Sequence, residues 1–200
     1  MISDDLQNLS RAVLPLVKEV TGSTKFKLTA LEGGKNNRVF SVTIDEGERL
    51  LLKSYFHHPQ DPRDRAKTEY SFSTFAWKTG SRRLPQPLVA DLKQHLAIYQ
   101  FINGRKLREE EVDESRVQEA LDFFQELNTN RDSNAARVLK PAADACFSIQ
   151  DHLQLMQRKL QLLKKTLPNS DIDKDALKFV KERLLPVGES DRKSTRLNSS

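Results

Sequence analysis

The chain has 200 residues, 37% of them hydrophobic and 30% charged, with a formal net charge of +5 at pH 7. This composition excludes fibrous and disordered classes and fits a soluble globular chain with one good core, or one small domain and part of another. Cys146 is the single cysteine, so an intramolecular disulfide and a cysteine-based metal cluster are both excluded, which favours a reducing compartment. The start, Met-Ile-Ser-Asp-Asp, carries acid where a signal peptide carries base. No apolar stretch approaches the roughly 18 residues of a membrane span, and a cytoplasmic protein without a membrane partner is expected.

Helical spacing of Leu6, Leu9, Val13, Leu16, Val17 and Val20 predicts a first helix over 3–20, stopped by Gly22 and kinked or divided at Pro15. Alternation then predicts strands over 25–31, 38–44 and 49–55, the last two joined by the turn Asp45-Glu46-Gly47-Glu48. Short connections make these an antiparallel meander. His57 to Pro62 reads as a loop, and 64–78 as a helix in which Tyr70, Phe72, Phe75 and Trp77 supply bulk. Leu88 to Asp91 and Leu96 to Phe101 bring the sheet to about five strands before Ile102-Asn103-Gly104 breaks the pattern.

Beyond Gly104 the periodicity is helical throughout. An amphipathic helix is expected over 113–127, with Asp113 and Ser115 competing as caps, and a polar break over 128–134. A long helix follows over 148–167, and a last one over 174–185 capped by Asp173 and closed by Pro186. The expected domains are therefore 1–104, ending in a hinge, and 105–190. Residues 191–200, DRKSTRLNSS, lack periodicity and resemble the conceptual translation of a sequencing adapter, so a non-native tail is expected there. The tail holds three basic residues and one acidic, so the remainder carries only +3. That excess is dispersed and gives weak support for nucleic acid.

Four features of the first half carry chemistry. The turn Glu32-Gly33-Gly34-Lys35-Asn36-Asn37 has two glycines that let backbone N–H groups approach a phosphate, with Asn36 and Asn37 as further donors. Alone it is also ordinary hairpin chemistry. Lys53 ends the apolar run Leu50-Leu51-Leu52 and shares a strand face with Leu51, which suits a purine pocket beside phosphates. The alternative is an edge-strand lysine that blunts aggregation. Glu69 lies 16 residues on, in the predicted helix, and would either hold the Lys53 ammonium or pair in solvent with Arg65 or Lys67. The fourth is Tyr99-Gln100-Phe101-Ile102-Asn103-Gly104, a strand end whose backbone can bond an adenine edge.

LEGGKNNRVFSV, LLLKSYF, DRAKTEYSFSTF, PQPLVAD and IYQFINGRKL, in this order and spacing, resemble the N-terminal lobe of the aminoglycoside phosphotransferase and choline kinase-like superfamily, over 26–128. The resemblance implies a protein-kinase-like α+β fold: about five antiparallel strands with a packed helix, then an incomplete all-α lobe. It further implies that Gly33, Gly34, Asn36 and Asn37 cover the nucleotide, that Leu51 lines its pocket, that Lys53 binds phosphate with Glu69 as partner, and that the backbone of Gln100 and Ile102 contacts adenine. The implied partners are ATP or GTP with magnesium, and a small-molecule acceptor hydroxyl such as that of an aminoglycoside, choline or a sugar-like compound.

The superfamily's His-Gly-Asp loop, its following asparagine and its later aspartate have no match from Arg105 to Ser190. Asp151-His152 is reversed and lies in a leucine-rich helix, while Asp191 and Asn198 fall in the tail and lack the histidine. No catalytic residue and no metal ligand is assigned within the chain. Together with the adapter-like tail, this predicts a phosphotransferase cut before its catalytic loop and inactive as given, with the seam Leu153, Met156, Leu160 and Leu163 exposed. The alternative is a non-catalytic helical interaction module carried on a small antiparallel sheet.

Overall fold

The computed structural model describes residues 2–32, 37–45, 47–59, 61, 63–142, 144–165 and 167–187. The chain forms two compact units, Met1–Lys140 and a second from Pro141 onward. The first is an α+β unit built on an antiparallel sheet. Helix α1 (Ile2–Thr21) precedes strands β1 (Phe26–Leu31), β2 (Asn37–Ile44) and β3 (Arg49–Tyr55). Helix α2 (Arg65–Lys78) separates these from β4 (Pro87–Asp91) and β5 (Leu96–Gln100). The spatial order is β1-β2-β3-β5-β4, so the β4–β5 hairpin joins the meander through β5 and makes β3 the central strand.

Pro15 leaves α1 as one unbroken element, and Gly22 ends it at φ 74, its N–H donating to the Lys18 carbonyl at 2.8 Å. That left-handed residue after the last turn is the usual glycine termination. One sheet face is hydrocarbon. Leu28, Phe40, Val42, Ile44, Leu50, Leu52, Leu96 and Ile98 alternate onto it and meet Val13, Leu16 and Val17 of α1 in a single buried cluster.

The other face meets α2. Its buried members are Tyr55, Ala97 and Tyr99, joined by Ala66 of the helix, with Leu51, Tyr70, Ala90 and Leu92 half-buried around them. The bulky residues expected to pack α2 do so only in part: Phe75 is buried, but Phe72 is exposed, and the rest of the buried surface is small, Ala66, Ser73 and Ala76. Small side chains there let the helix lie close over the sheet. Asp64 caps α2, its carboxylate accepting from the Lys67 N–H at 3.0 Å.

After β5 come the 3₁₀ turn Glu109–Glu111, helix α3 (Glu114–Asn128) capped by Asp113, and the short helix α4 (Asn134–Arg137), which no periodicity predicts. Arg83 ties α3 to the segment after α2, donating to the Glu119 carbonyl at 2.9 Å and pairing with Glu126 at 3.5 Å. Val117, Leu121 and Phe124 of α3 are exposed.

The second unit holds α5 (Ile149–Lys164) and α6 (Asp171–Phe179), the latter running into a wider π-type turn, Val180–Leu184. Its cap is Ser170 rather than Asp173. The Ser170 hydroxyl accepts from the Asp173 N–H at 3.2 Å, and the Asp173 carboxylate accepts in return from the Asn169 N–H at 3.0 Å, a reciprocal box that starts the helix earlier than expected. Met156 and Leu163 of the predicted seam are exposed, whereas Leu153 and Leu160 are half-buried. Among the described residues of this unit only Val180 is buried. No described helix is long and apolar enough to cross a membrane.

Candidate functional site

The strand register decides which side chains stand beside Lys53. Lys53 is opposite Val39 on β2 and Ala97 on β5, Val39 is opposite Leu31, and Leu51 is opposite Ser41 and Tyr99. Leu31, Val39, Leu51 and Lys53 therefore share the α2 side of the sheet, all half-buried, next to buried Ala97 and Tyr99. Lys53 lies in a strand paired on both sides, so it is not an edge-strand lysine.

The Lys53 ammonium donates to Glu69 Oε1 at 2.5 Å, and the two side chains are 27% and 36% exposed. Glu69 faces the sheet because it lies one turn past Ala66 and one before Ser73, on the buried stripe of α2. Arg65, the competing partner for Glu69, is engaged elsewhere: it pairs with Asp61 at 2.7 Å. Lys53 also sits 5.7 Å from the centre of the Tyr99 ring. The phenols of Tyr55 and Tyr99 bond each other at 2.8 Å. Burial pushes both phenols well above their ordinary range, with the charge of Glu69 adding to each, so both stay protonated.

Of the remaining predicted residues, Gly33, Gly34 and Asn36 lie outside the described residues. Asn37 opens β2, where its side-chain carbonyl accepts from the Phe56 N–H at 3.3 Å, leaving its amide N–H₂ as the group able to meet an anion. The Gln100 N–H donates to the Gln86 carbonyl at 2.8 Å, so only its carbonyl can meet a base edge. Ile102 is exposed, in the irregular segment after β5, and its N–H has no partner among the described residues.

Sequence reasoning missed two parts of this site. One is the Tyr55–Tyr99 pair, which depends on the β3–β5 register. The other is Arg49, which shares the face of Leu51 and Lys53. Its guanidinium lies 3.8 Å from the centre of the Phe101 ring and donates to the Ser41 hydroxyl at 3.4 Å and the Asn103 side chain at 3.5 Å, clamping the segment after β5 to the sheet. The signal available was the alternation Arg49, Leu51, Lys53. Among the described residues, no three His, Cys, Asp or Glu side chains gather as metal ligands. The described residues thus offer no fitted place for magnesium, whereas a cation beside an apolar wall suits a polyphosphate with an attached base.

No family profile matches the chain, and no curated protein does. Solved structures do. It is similar to an ethanolamine kinase from Plasmodium vivax, with 14% identity and a TM-score of 0.48, over 82% of this chain and 45% of the kinase. It is similar also to a choline kinase from Cryptosporidium parvum Iowa II, with 14% identity and a TM-score of 0.46, over 86% of this chain and 49% of that one. The chain thus spans about half the length of the structures it matches.

Proposed function

We propose that this chain holds a nucleoside triphosphate, ATP or GTP, on the Lys53 face of its sheet, as the nucleotide-binding part of a phosphotransferase acting on a hydroxyl of a small molecule. The observation that carries this reading is the Lys53–Glu69 pair at 2.5 Å beside an apolar wall. Stability gives little reason for the pair, since an ion pair this exposed contributes about 0 to 1 kcal/mol. Function gives a better one. An ammonium has three donors, and Glu69 takes one, which leaves two for phosphate oxygens and fixes where they point. Leu31, Val39 and Leu51 offer the apolar surface a purine needs. The Gln100 carbonyl and the Ile102 N–H provide one acceptor and one donor for its edge, the complement of adenine. The turn 33–37 would supply backbone donors to the phosphates. The acceptors that the sequence resemblance implies are small hydroxyl compounds, aminoglycoside, choline or sugar-like.

Transfer itself needs an aspartate to orient the hydroxyl, with aspartate and asparagine for the metal. No His-Gly-Asp pattern occurs from Arg105 to Ser190. Residues 1–200 are therefore expected to bind nucleotide without turning it over. Titration with a fluorescent ATP analogue tests the first half of the proposal: the chain binds, and Lys53→Ala weakens binding by about tenfold or more, the worth of a charge-assisted hydrogen bond. Equal binding by both proteins, or by neither, defeats it and leaves the helical interaction module. Glu69-dependent turnover of ATP with a hydroxyl acceptor would defeat the second half.

A further inference from the structure

The ladder that joins β3 to β5 stops just short of the segment that would meet the base. Its last pair is Leu50 with Gln100, and the next two residues in register, Arg49 and Phe101, are joined by their side chains instead. Residues 101–108 have no regular structure, and Ile102 and Asn103 are exposed. A strand end released from its ladder samples many backbone conformations unless something else holds it.

Arg49 holds it. Its guanidinium lies 3.8 Å from the centre of the Phe101 ring, its Nη1 donates to the Asn103 side-chain carbonyl at 3.5 Å, and its Nε donates to the hydroxyl of buried Ser41 at 3.4 Å. Both hydrogen bonds are long, so the ring contact carries most of the attraction. What the arrangement adds is geometry: one planar group on β3 reaches β2 on one side and grips the residues before and after Ile102 on the other. Among the described residues, no other side chain bonds to or stacks on 101–103. Arg49 is itself exposed, so burial gives no reason for an arginine there.

We propose that Arg49 is a positioning residue for the base end of the pocket: by gripping Phe101 and Asn103 it fixes the peptide between them, so that the Ile102 N–H stands with the Gln100 carbonyl as one donor and one acceptor. This rests on the nucleotide reading above and sharpens it from ATP or GTP to ATP. Adenine presents an amino donor beside a ring acceptor, whereas guanine presents a carbonyl acceptor beside a ring N–H, the reverse order. The chain cannot invert its own pair to suit guanine, because the Gln100 N–H is committed to the Gln86 carbonyl at 2.8 Å and Arg49 holds the residues on either side of Ile102. The grip of Arg49 on the segment does not itself depend on nucleotide.

Two measurements on the whole chain test this, the first without nucleotide. Chymotrypsin cleaves after Phe101 only when the segment opens. Arg49→Ala is expected to speed that cleavage by about threefold to tenfold, the worth of an exposed cation–π contact with a hydrogen bond, while cleavage after exposed Phe147 keeps the parent rate. The parent rate at Phe101 overturns the proposal. Where cleavage after buried Phe40 also accelerates, the substitution has loosened the sheet. Arg49→Lys, which keeps the charge and the stem without the planar fork, then decides: acceleration confined to Phe101 is expected, and parent-like cleavage overturns the proposal. The second measurement is displacement of a fluorescent ATP analogue by ATP and by GTP. The parent is expected to prefer ATP by about tenfold, Arg49→Ala to narrow that preference by about threefold or more, and Lys53→Ala to weaken both nucleotides with the preference kept. No preference for ATP in the parent, or an unchanged preference in Arg49→Ala, overturns the proposal. A parent that binds no analogue defeats the nucleotide reading and the base-positioning role with it, while the cleavage rates still decide whether Arg49 holds the segment.

Discussion

The two faces of the sheet are made by the same strands and are held to different standards. On the α1 side every strand contributes hydrocarbon, and Leu52 and Ile98 are wholly buried. On the α2 side the corresponding positions carry Lys53, Tyr55, Tyr99 and Ser41, and Glu69 comes down from the helix. Only the first face needs nothing but shape and area. The second keeps polar and ionisable groups where leucine or valine would pack at lower cost, and each must find a partner: Lys53 has Glu69, Tyr55 has Tyr99, and Ser41 has Arg49. That contrast, with the charged pair still open to solvent, is why nucleotide binding is proposed on the second face.

Two adjacent residues put that contrast to its strongest test. Leu52→Ala removes a fully buried side chain from the α1 face and is expected to destabilise the chain by about 2 to 5 kcal/mol, read as a fall in denaturant midpoint with nucleotide binding per folded molecule unchanged. Lys53→Ala, one residue on, is expected to cost under about 1 kcal/mol in the same melt and to abolish most nucleotide affinity. If the two variants exchanged these signatures, the division of labour between the faces would be wrong. A smaller effect comes from Tyr99→Phe, which deletes one hydroxyl and leaves its partner buried. A loss of about 1 kcal/mol is expected from chemical denaturation, and no loss would mean the phenol pair is not a bond of consequence.

The α1 face was legible in the sequence almost residue by residue. Phe40, Val42 and Ile44 alternate as a one-sided strand must, and β3 has the expected bounds, where a register slip would turn Leu50 and Leu52 out of the core. The pairing of Lys53 with Glu69 was legible too, since a lysine that ends the apolar run Leu50-Leu51-Leu52 needs an anion and Glu69 follows 16 residues on. Tyr55 with Tyr99 was not: their hydroxyls meet across 44 residues, through a pairing of β3 with β5 that no local pattern encodes. Arg49 was hidden for the same reason, its partners Phe101 and Asn103 lying beyond the far end of β5. Local rules misled at Asp173, where a residue that caps well in isolation became the third member of a box begun by Ser170. They were silent at α4, which is too short to show a period.

The finest test of the comparison is Ser81, just past α2. It is buried at 2% exposure, its N–H donates to the Ala76 carbonyl at 3.0 Å, and its hydroxyl alone among the described buried side-chain groups has no partner. If polar groups beneath α2 persist only because they are partnered, this one contributes nothing and its desolvation is pure cost. Ser81→Ala removes the hydroxyl, keeps the Cβ and leaves the backbone bond intact. It is therefore expected to be neutral or to stabilise by up to about 1 kcal/mol in chemical denaturation. A loss of that size instead would mean that the hydroxyl is bonded in solution, and the rule drawn from Lys53, Tyr55 and Ser41 would then extend to the end of the helix.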